Sequence, residues 1–370
     1  MSPDETQQPS SAGTRVDTRR AQPPTSVGSE IMRTAAQDRY GPRPEDVLRV
    51  TETELPDIGP DEVLVRVHAA SVDRGTWHVM SGLPYPIRLA GFGVRRPKYA
   101  NPGRSLAGTI DTVGADVTGL HRGDEVFGIG TATFAEYATA RPGTLAAKPP
   151  SLSFAQAAAV PVSGLTALQA VRDHGKLAAG QQVLIVGASG GVGSFAVQIA
   201  KVFGAEVTGV CGTAKVEAVR ALGADQVVDY SREDFADGRV RYDVILDVVG
   251  NTRLTRLRRA LTPRGRLVIV GGETGGRWLG GFDRQLRAGL LSPFLRQRLG
   301  TFIASENAAD LTVLRDLCEA GTLSPAVDRT FPLDDVATAV RYLLDGKAVG
   351  KLVIDVRPRA AQPPSPRRPE

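Results

Sequence analysis

Cysteine is almost missing from this chain: its 370 residues hold only Cys211 and Cys318. That excludes a disulfide framework and a Cys-rich structural zinc site. Histidine is also scarce. His68, His78, His121 and His174 show no metal-ligand spacing and read as surface or packed residues. No run of about 18 apolar residues exists, so no ordinary membrane-spanning helix is expected. The first residues carry no apolar stretch of the signal-peptide kind, and two thiols suit a reducing, cytoplasmic setting. The net charge of +5 is small for the length, with acidic residues interleaved among the basic ones, so no nucleic-acid partner is expected. Basic charge concentrates only in Arg284–Arg298 and Arg357–Pro369.

What is present supports a globular protein of two domains. Hydrophobic residues make up 42% of the chain, enough to bury a sizeable core. Residues 1–30 are rich in Ser, Thr, Gln and Pro without periodicity, and 357–370 resemble them, so both ends read as disordered extensions. Asp61–Ala70 alternates apolar and polar residues, as a half-buried strand does. Leu106–Val113 and Asp124–Phe127 read as further short strands, and the Gly and Pro around them suggest a small β-barrel-like domain. From Leu152 the pattern changes. Phe154–Gly175 reads as helix broken at Pro161. Strands at Val183–Val186, Val207–Val210, Gln226–Val228, Val244–Val248 and Arg266–Val270 then alternate with helices at Val192–Phe203, Ala214–Leu222 and Arg253–Leu261. Such alternation predicts an α/β fold with a doubly wound parallel sheet. Two more helices and the strand Lys351–Val356 end it.

The segment Val183–Lys201, VLIVGASGGVGSFAVQIAK, places a Gly-rich turn between a buried strand and a helix. Glycines there let the chain turn tightly and let a pyrophosphate approach the backbone. The open N–H groups of the following helix hold its charge. Ser189, Gly190, Gly191, Val192 and Gly193 are therefore candidate cofactor contacts. NAD-binding sites carry Asp or Glu at the end of the second strand, to hold the ribose 2′-hydroxyl. Here Cys211, Gly212, Thr213 and Lys215 stand there with no carboxylate among them. Thr213 offers a hydrogen bond and Lys215 a positive charge, a pattern that favours NADPH.

Several segments together resemble one family. They are HAASVDRGTW (His68–Trp77), GRSLAGTIDTVGADV (Gly103–Val117), GDEVFG (Gly123–Gly128), FAEYA (Phe134–Ala138), PVSGLTALQAV (Pro161–Val171), GASGGVG (Gly187–Gly193), LGADQVVDY (Leu222–Tyr230), YDVILDVVGN (Tyr242–Asn251) and VGKLVIDV (Val349–Val356). In this order they resemble the medium-chain dehydrogenase/reductase superfamily, in its zinc-independent quinone-oxidoreductase-like branch. The resemblance implies a GroES-like β-barrel catalytic domain at 31–157, a Rossmann NADP(H)-binding domain at 158–306, a C-terminal return at 307–356, and an active site in the cleft between the domains. It also implies a homodimer.

Zinc-dependent relatives place Gly-His-Glu where this chain has Gly103, Arg104 and Ser105, and cysteines near Asp73 and Val162. None of these matches, so no metal is expected. Without zinc, hydrogen bonds must polarise the substrate carbonyl. The family loop reads Asn, two residues, Asp, Trp; here it reads Asp73, Arg74, Gly75, Thr76, Trp77. Asp73 and Thr76 are the candidate catalytic residues, with Asp73 able to accept from the ribose hydroxyls and Thr76 a weaker acid–base group than Asp. The resemblance further places Thr166, Tyr230, Val248, Gly250, Val270, Gly271, Gly272 and Lys351 near the cofactor, although Lys351 equally reads as solvated. The stretch Arg284–Gly300 reads as a pocket cover or subunit contact rather than a membrane-surface segment, interrupted at Pro293. The expected activity is hydride transfer from NADPH to a small electrophilic substrate: a quinone, enone or aldehyde. Three alternatives stay open: alcohol oxidation, a biosynthetic enoyl reductase, and NADPH binding without turnover as a redox sensor.

Overall fold

The computed structural model describes residues 30–272, 278 and 280–357. The two expected disordered extensions lie outside these residues, apart from Glu30 and Arg357.

The N-terminal part opens with a hairpin-like pair, β1 (Ile31–Ala36) and β2 (Arg49–Glu54), around the short helix α1 (Pro44–Val47). The long strand β3 (Val63–Val72) runs into α2 (Arg74–Ser81). Strands β4 (Ser105–Val113), β5 (Glu125–Thr131) and β6 (Tyr137–Ala147) follow antiparallel. Because β6 also pairs back onto β3, strands β3 to β6 close into a barrel. Helices α3 (Phe154–Ala159) and α4 (Pro161–Gln169) then lead into the second sheet, split at Pro161 as the sequence predicts.

The second sheet is parallel throughout. Its elements are β7 (Gln182–Val186), α5 (Gly191–Val202), β8 (Glu206–Cys211), α6 (Val216–Ala221), β9 (Gln226–Asp229), β10 (Tyr242–Asp247), α7 (Leu254–Ala260), β11 (Leu261–Ile269), α8 (Phe282–Leu291) and β12 (Arg298–Thr301). The strand order is β12-β11-β10-β7-β8-β9, so the direction of winding reverses at β7. The edge strand β12 extends the sheet beyond the five strands expected. After α9 (Ala308–Glu319), β13 (Val327–Pro332) and α10 (Val336–Leu344), β14 (Lys351–Asp355) returns to pair with β3. The chain thus combines a GroES-like barrel with a doubly wound Rossmann domain.

Burial on both faces explains the apolar runs of the parallel strands. In β7, Val183 and Ile185 pack with Phe195, Ile199, Leu165 and Leu314 from α5, α4 and α9. Leu184 and Val186 face the other way, with Leu257 of α7 and Ala288 of α8. The first cluster also takes in Ala69, Phe127, Ile129 and Val353 of the barrel sheet, so one continuous core fastens the two sheets together. Among the described residues no helix is long and apolar enough to cross a membrane.

Candidate active site

A cavity of about 500 Å³ lies where the carboxyl ends of β7, β10 and β11 meet α2 and the C-terminal return. Its floor is the Gly-rich turn. Gly187 sits at φ +89°, a conformation open to glycine at little cost. A Cβ on Gly193 would come within 2.1 Å of the Gly187 carbonyl oxygen, so Gly193 is required for the close approach of α5 to β7. Gly190 is the N-cap of α5 and makes no side-chain cap. The first-turn N–H groups are left for an anion. Ser189, Gly190, Gly191 and Val192 line the cavity. Gly193 lies behind them.

The opposite wall is α2. Its N-cap Asp73 lines the cavity together with Arg74, Gly75 and His78. The Lys351 ammonium reaches Asp73 from β14 at 3.7 Å and donates to the Val72 carbonyl at 3.1 Å. Lys351 is only 2% exposed, which corrects its reading as solvated. Its stem lies against Gly191, where a Cβ would stand 3.1 Å from Lys351 Cδ. Burial drives both charges toward neutrality: it raises Asp73 and lowers Lys351, against the pull of each on the other and of Arg104 on Asp73. Asp73 lines the cavity, and its Oδ1 is buried without a hydrogen-bond partner.

Thr76 is not brought to the cavity. It is 2% exposed, and its hydroxyl accepts from the Asp73 N–H at 3.4 Å in a capping box. The side chain that the sequence reading overlooked is His78, two residues further along the same helix. Its Nδ1 lies 2.7 Å from the Leu83 carbonyl, which only accepts, so Nδ1 carries the proton and Nε2 is the acceptor. Burial holds its pKa below the usual value despite that bond. Nothing in the sequence marked it, because five residues from Asp73 is not a same-face spacing on a helix. The other histidines are packed or exposed: His68 stacks on Phe154, His174 on Phe302, and His121 is on the surface.

At the far end the structure corrects a second expectation. A carboxylate does lie beside the end of β8, because β9 brings Asp229 next to Cys211. The Thr213 hydroxyl donates to Asp229 at 2.6 Å and the Ser231 N–H donates at 3.0 Å; these bonds hold Asp229 below the usual carboxylate range. Thr213 has thus already donated its proton. Lys215 lines the cavity, with its ammonium on the carbonyls of Gly346 and Ala348, both at 2.7 Å, and burial lowers its pKa. Tyr230 is 65% exposed, beside Gly212, and neither borders the cavity, nor does the buried Cys211. Thr166, Val248, Val270, Gly271 and Gly272 do. Gly250 stands behind them, where a Cβ would meet the Gly271 carbonyl at 2.2 Å.

The three positions where zinc-dependent relatives hold metal ligands carry Asp73, Arg104 and Val162. Arginine is a permanent cation and valine has no donor, so this set does not fit zinc. Arg104 is instead ion-paired with Glu306. Among the described residues no group of three His, Cys, Asp or Glu is placed to hold a metal. The remaining thiol, Cys318, is buried on α9 and pushed up to about 12, first by burial and then by Glu319.

Residues 59–169 match the alcohol dehydrogenase GroES-like domain family, and residues 222–354 match the zinc-binding dehydrogenase family. The chain is 33% identical to 2-methylene-furan-3-one reductase of Solanum lycopersicum, over 84% of this chain and 76% of that protein. It is 34% identical to the mitochondrial NAD(P)H oxidoreductase RTN4IP1 of Mus musculus, over 90% and 91%. Among solved structures, the quinone oxidoreductase from Coxiella burnetii superposes with a TM-score of 0.76 at 30% identity, over 89% of this chain and all of that one. The fold, the cavity and these likenesses agree: the chain belongs to the medium-chain dehydrogenase/reductase superfamily, in its quinone-oxidoreductase-like branch, and is a nicotinamide-dependent oxidoreductase.

Proposed function

We propose that this oxidoreductase uses NADPH to reduce a small electrophile (a quinone, an enone or an aldehyde) without a metal. The carrying observation is that the open N-terminus of α5 and the Asp73–Lys351 pair line one cavity, while Asp73, Arg104 and Val162 make no donor set for zinc. Bound NADPH supplies the hydride, from C4 of its nicotinamide ring. The α5 N–H groups bind its pyrophosphate. Asp73 Oδ1 accepts from the nicotinamide ribose, which meets an otherwise unsatisfied buried oxygen. Lys215 is the cation for the 2′-phosphate, exchanging two carbonyl partners for a stronger anionic one. The proton that completes the reduction comes from water, for which His78 Nε2 is an acceptor in the cavity.

Domain limits at 157/158 and 306/307 are supported by the passage from the barrel strands, which end at Ala147, to the parallel sheet, which runs from Gln182 to Thr301, although the first limit falls inside α3. A homodimer is supported by the open edge of β12 and by the exposed Leu286, Leu290 and Phe294 beside it. A cytoplasmic location is supported by two buried free thiols. The test is the oxidation of NADPH and of NADH by the purified protein against a panel of quinones, enones and aldehydes. Turnover that prefers NADPH is expected. Tight NADPH binding without turnover on any acceptor would move the reading to a redox sensor.

A further inference from the structure

Asp247 is the last residue of β10 and is completely buried. Its carboxylate holds two groups. The Gly250 N–H donates to Oδ1 at 3.1 Å, and the Arg284 guanidinium of α8 donates to Oδ2. The Asp247 main-chain carbonyl accepts from Val270 N–H at 3.0 Å and Gly271 N–H at 3.3 Å. One residue therefore shapes both turns that leave β10 and β11, and these turns present Val248, Val270, Gly271 and Gly272 to the cavity. Arg284, only 9% exposed, also donates to the Thr252 carbonyl, beyond the first turn. Its own helix starts against the second turn, where a Cβ on Gly281 would meet Gly272 Cα at 3.0 Å.

Burying a full ion pair is costly, and an apolar pair of the same volume often serves stability as well or better. A charged pair placed here points to a demand for geometry. In a doubly wound sheet the two halves on either side of the first strand each take one mononucleotide. The β8–β9 half lies toward Lys215 and Asp229, so the β10–β11 half takes the nicotinamide. We infer that the Asp247–Arg284 pair is a positioning device for the nicotinamide ring, tying α8 to the two turns on which the ring rests. This rests on the proposal that the cavity holds NADPH. The pair does not touch the pyrophosphate or adenosine contacts, so it governs the chemical step more than cofactor affinity.

The test compares three forms of the full chain: the natural protein, Arg284→Lys, and the neutral double variant Asp247→Asn with Arg284→Gln, which keeps a donor and an acceptor in place. NADPH affinity is read by its fluorescence on binding, kcat and KM by acceptor turnover, and folding by the thermal transition. The double variant is expected to bind NADPH within about threefold of the natural protein while kcat falls about tenfold or more, because a small misplacement of reacting atoms is costly. Arg284→Lys, which keeps the charge but loses the fork, is expected to fall between the two. The inference is overturned if kcat of the folded double variant stays within about twofold, or if affinity and kcat decline together in step with the thermal transition. Should the double variant not fold, Arg284→Lys decides alone: a loss of kcat without loss of affinity supports the inference, and an unchanged kcat overturns it. If the natural protein binds no NADPH, the cofactor proposal itself fails, and this inference with it.

Discussion

Two walls of the same cavity work in opposite ways. The Gly-rich turn at Gly187–Gly193 acts through its backbone: N–H groups, positive φ and missing side chains. The α2 wall at Asp73–His78 acts through side chains whose meaning depends on what another part of the chain brings to them. Lys351, 278 residues away, turns Asp73 from a solvent-facing acid into half of a buried ion pair. Chemistry carried by backbone is written locally, whereas chemistry carried by side chains is written in the fold.

The contrast can be broken most sharply at Gly193. Gly193→Val would force a side chain into the Gly187 carbonyl. It is expected to abolish NADPH binding and to destabilise the protein by about 4 kcal/mol or more, read by calorimetry and denaturant unfolding. On the other wall, Lys351→Met leaves Asp73 buried and unpaired, with an expected loss of about 3–5 kcal/mol. Adding Asp73→Asn to that variant should recover most of the stability, and a double-mutant cycle measures the coupling. Lys215→Gln is expected to narrow the preference for NADPH over NADH about tenfold, roughly 1.4 kcal/mol, seen in the ratio of kcat/KM values. An unchanged ratio would assign the 2′-phosphate to another group.

Two smaller effects separate scaffold from chemistry within α2. Thr76→Val should cost under about 1 kcal/mol of stability through the weakened cap, with kcat unchanged. His78 is buried and keeps its pKa below 6.5, so the unfolded chain takes up the proton first as pH falls. Its contribution to stability is therefore complete above about pH 6.5 and lost progressively below it. His78→Phe should flatten the dependence of the thermal transition on pH below about 6.5.

The parallel sheet was legible because buried strands bounded by glycine and helices of even period announce themselves. Its sixth strand was not: Arg298–Thr301 is short, polar and at an edge. The barrel strand β6 was also hidden, since Arg141, Pro142 and Gly143 interrupt it. In the site, Ser189–Val192, Asp73, Thr166 and Lys351 fall where motif spacing puts them. Asp229 escaped notice because it is on a different strand from the residues it neighbours, and His78 because a lone histidine on a helix carries no sign of the cavity it faces. Thr76 misled for the opposite reason: its place in a motif suggested chemistry, while its hydroxyl is used to cap the helix.

The central claim, that the site transfers hydride without a metal, is tested most directly by one comparison. The protein is dialysed against a strong chelator, and NADPH turnover is measured before and after adding back zinc. Equal rates in both states are predicted. A rate that collapses on chelation and returns with zinc would contradict the account and require metal ligands other than Asp73, Arg104 and Val162.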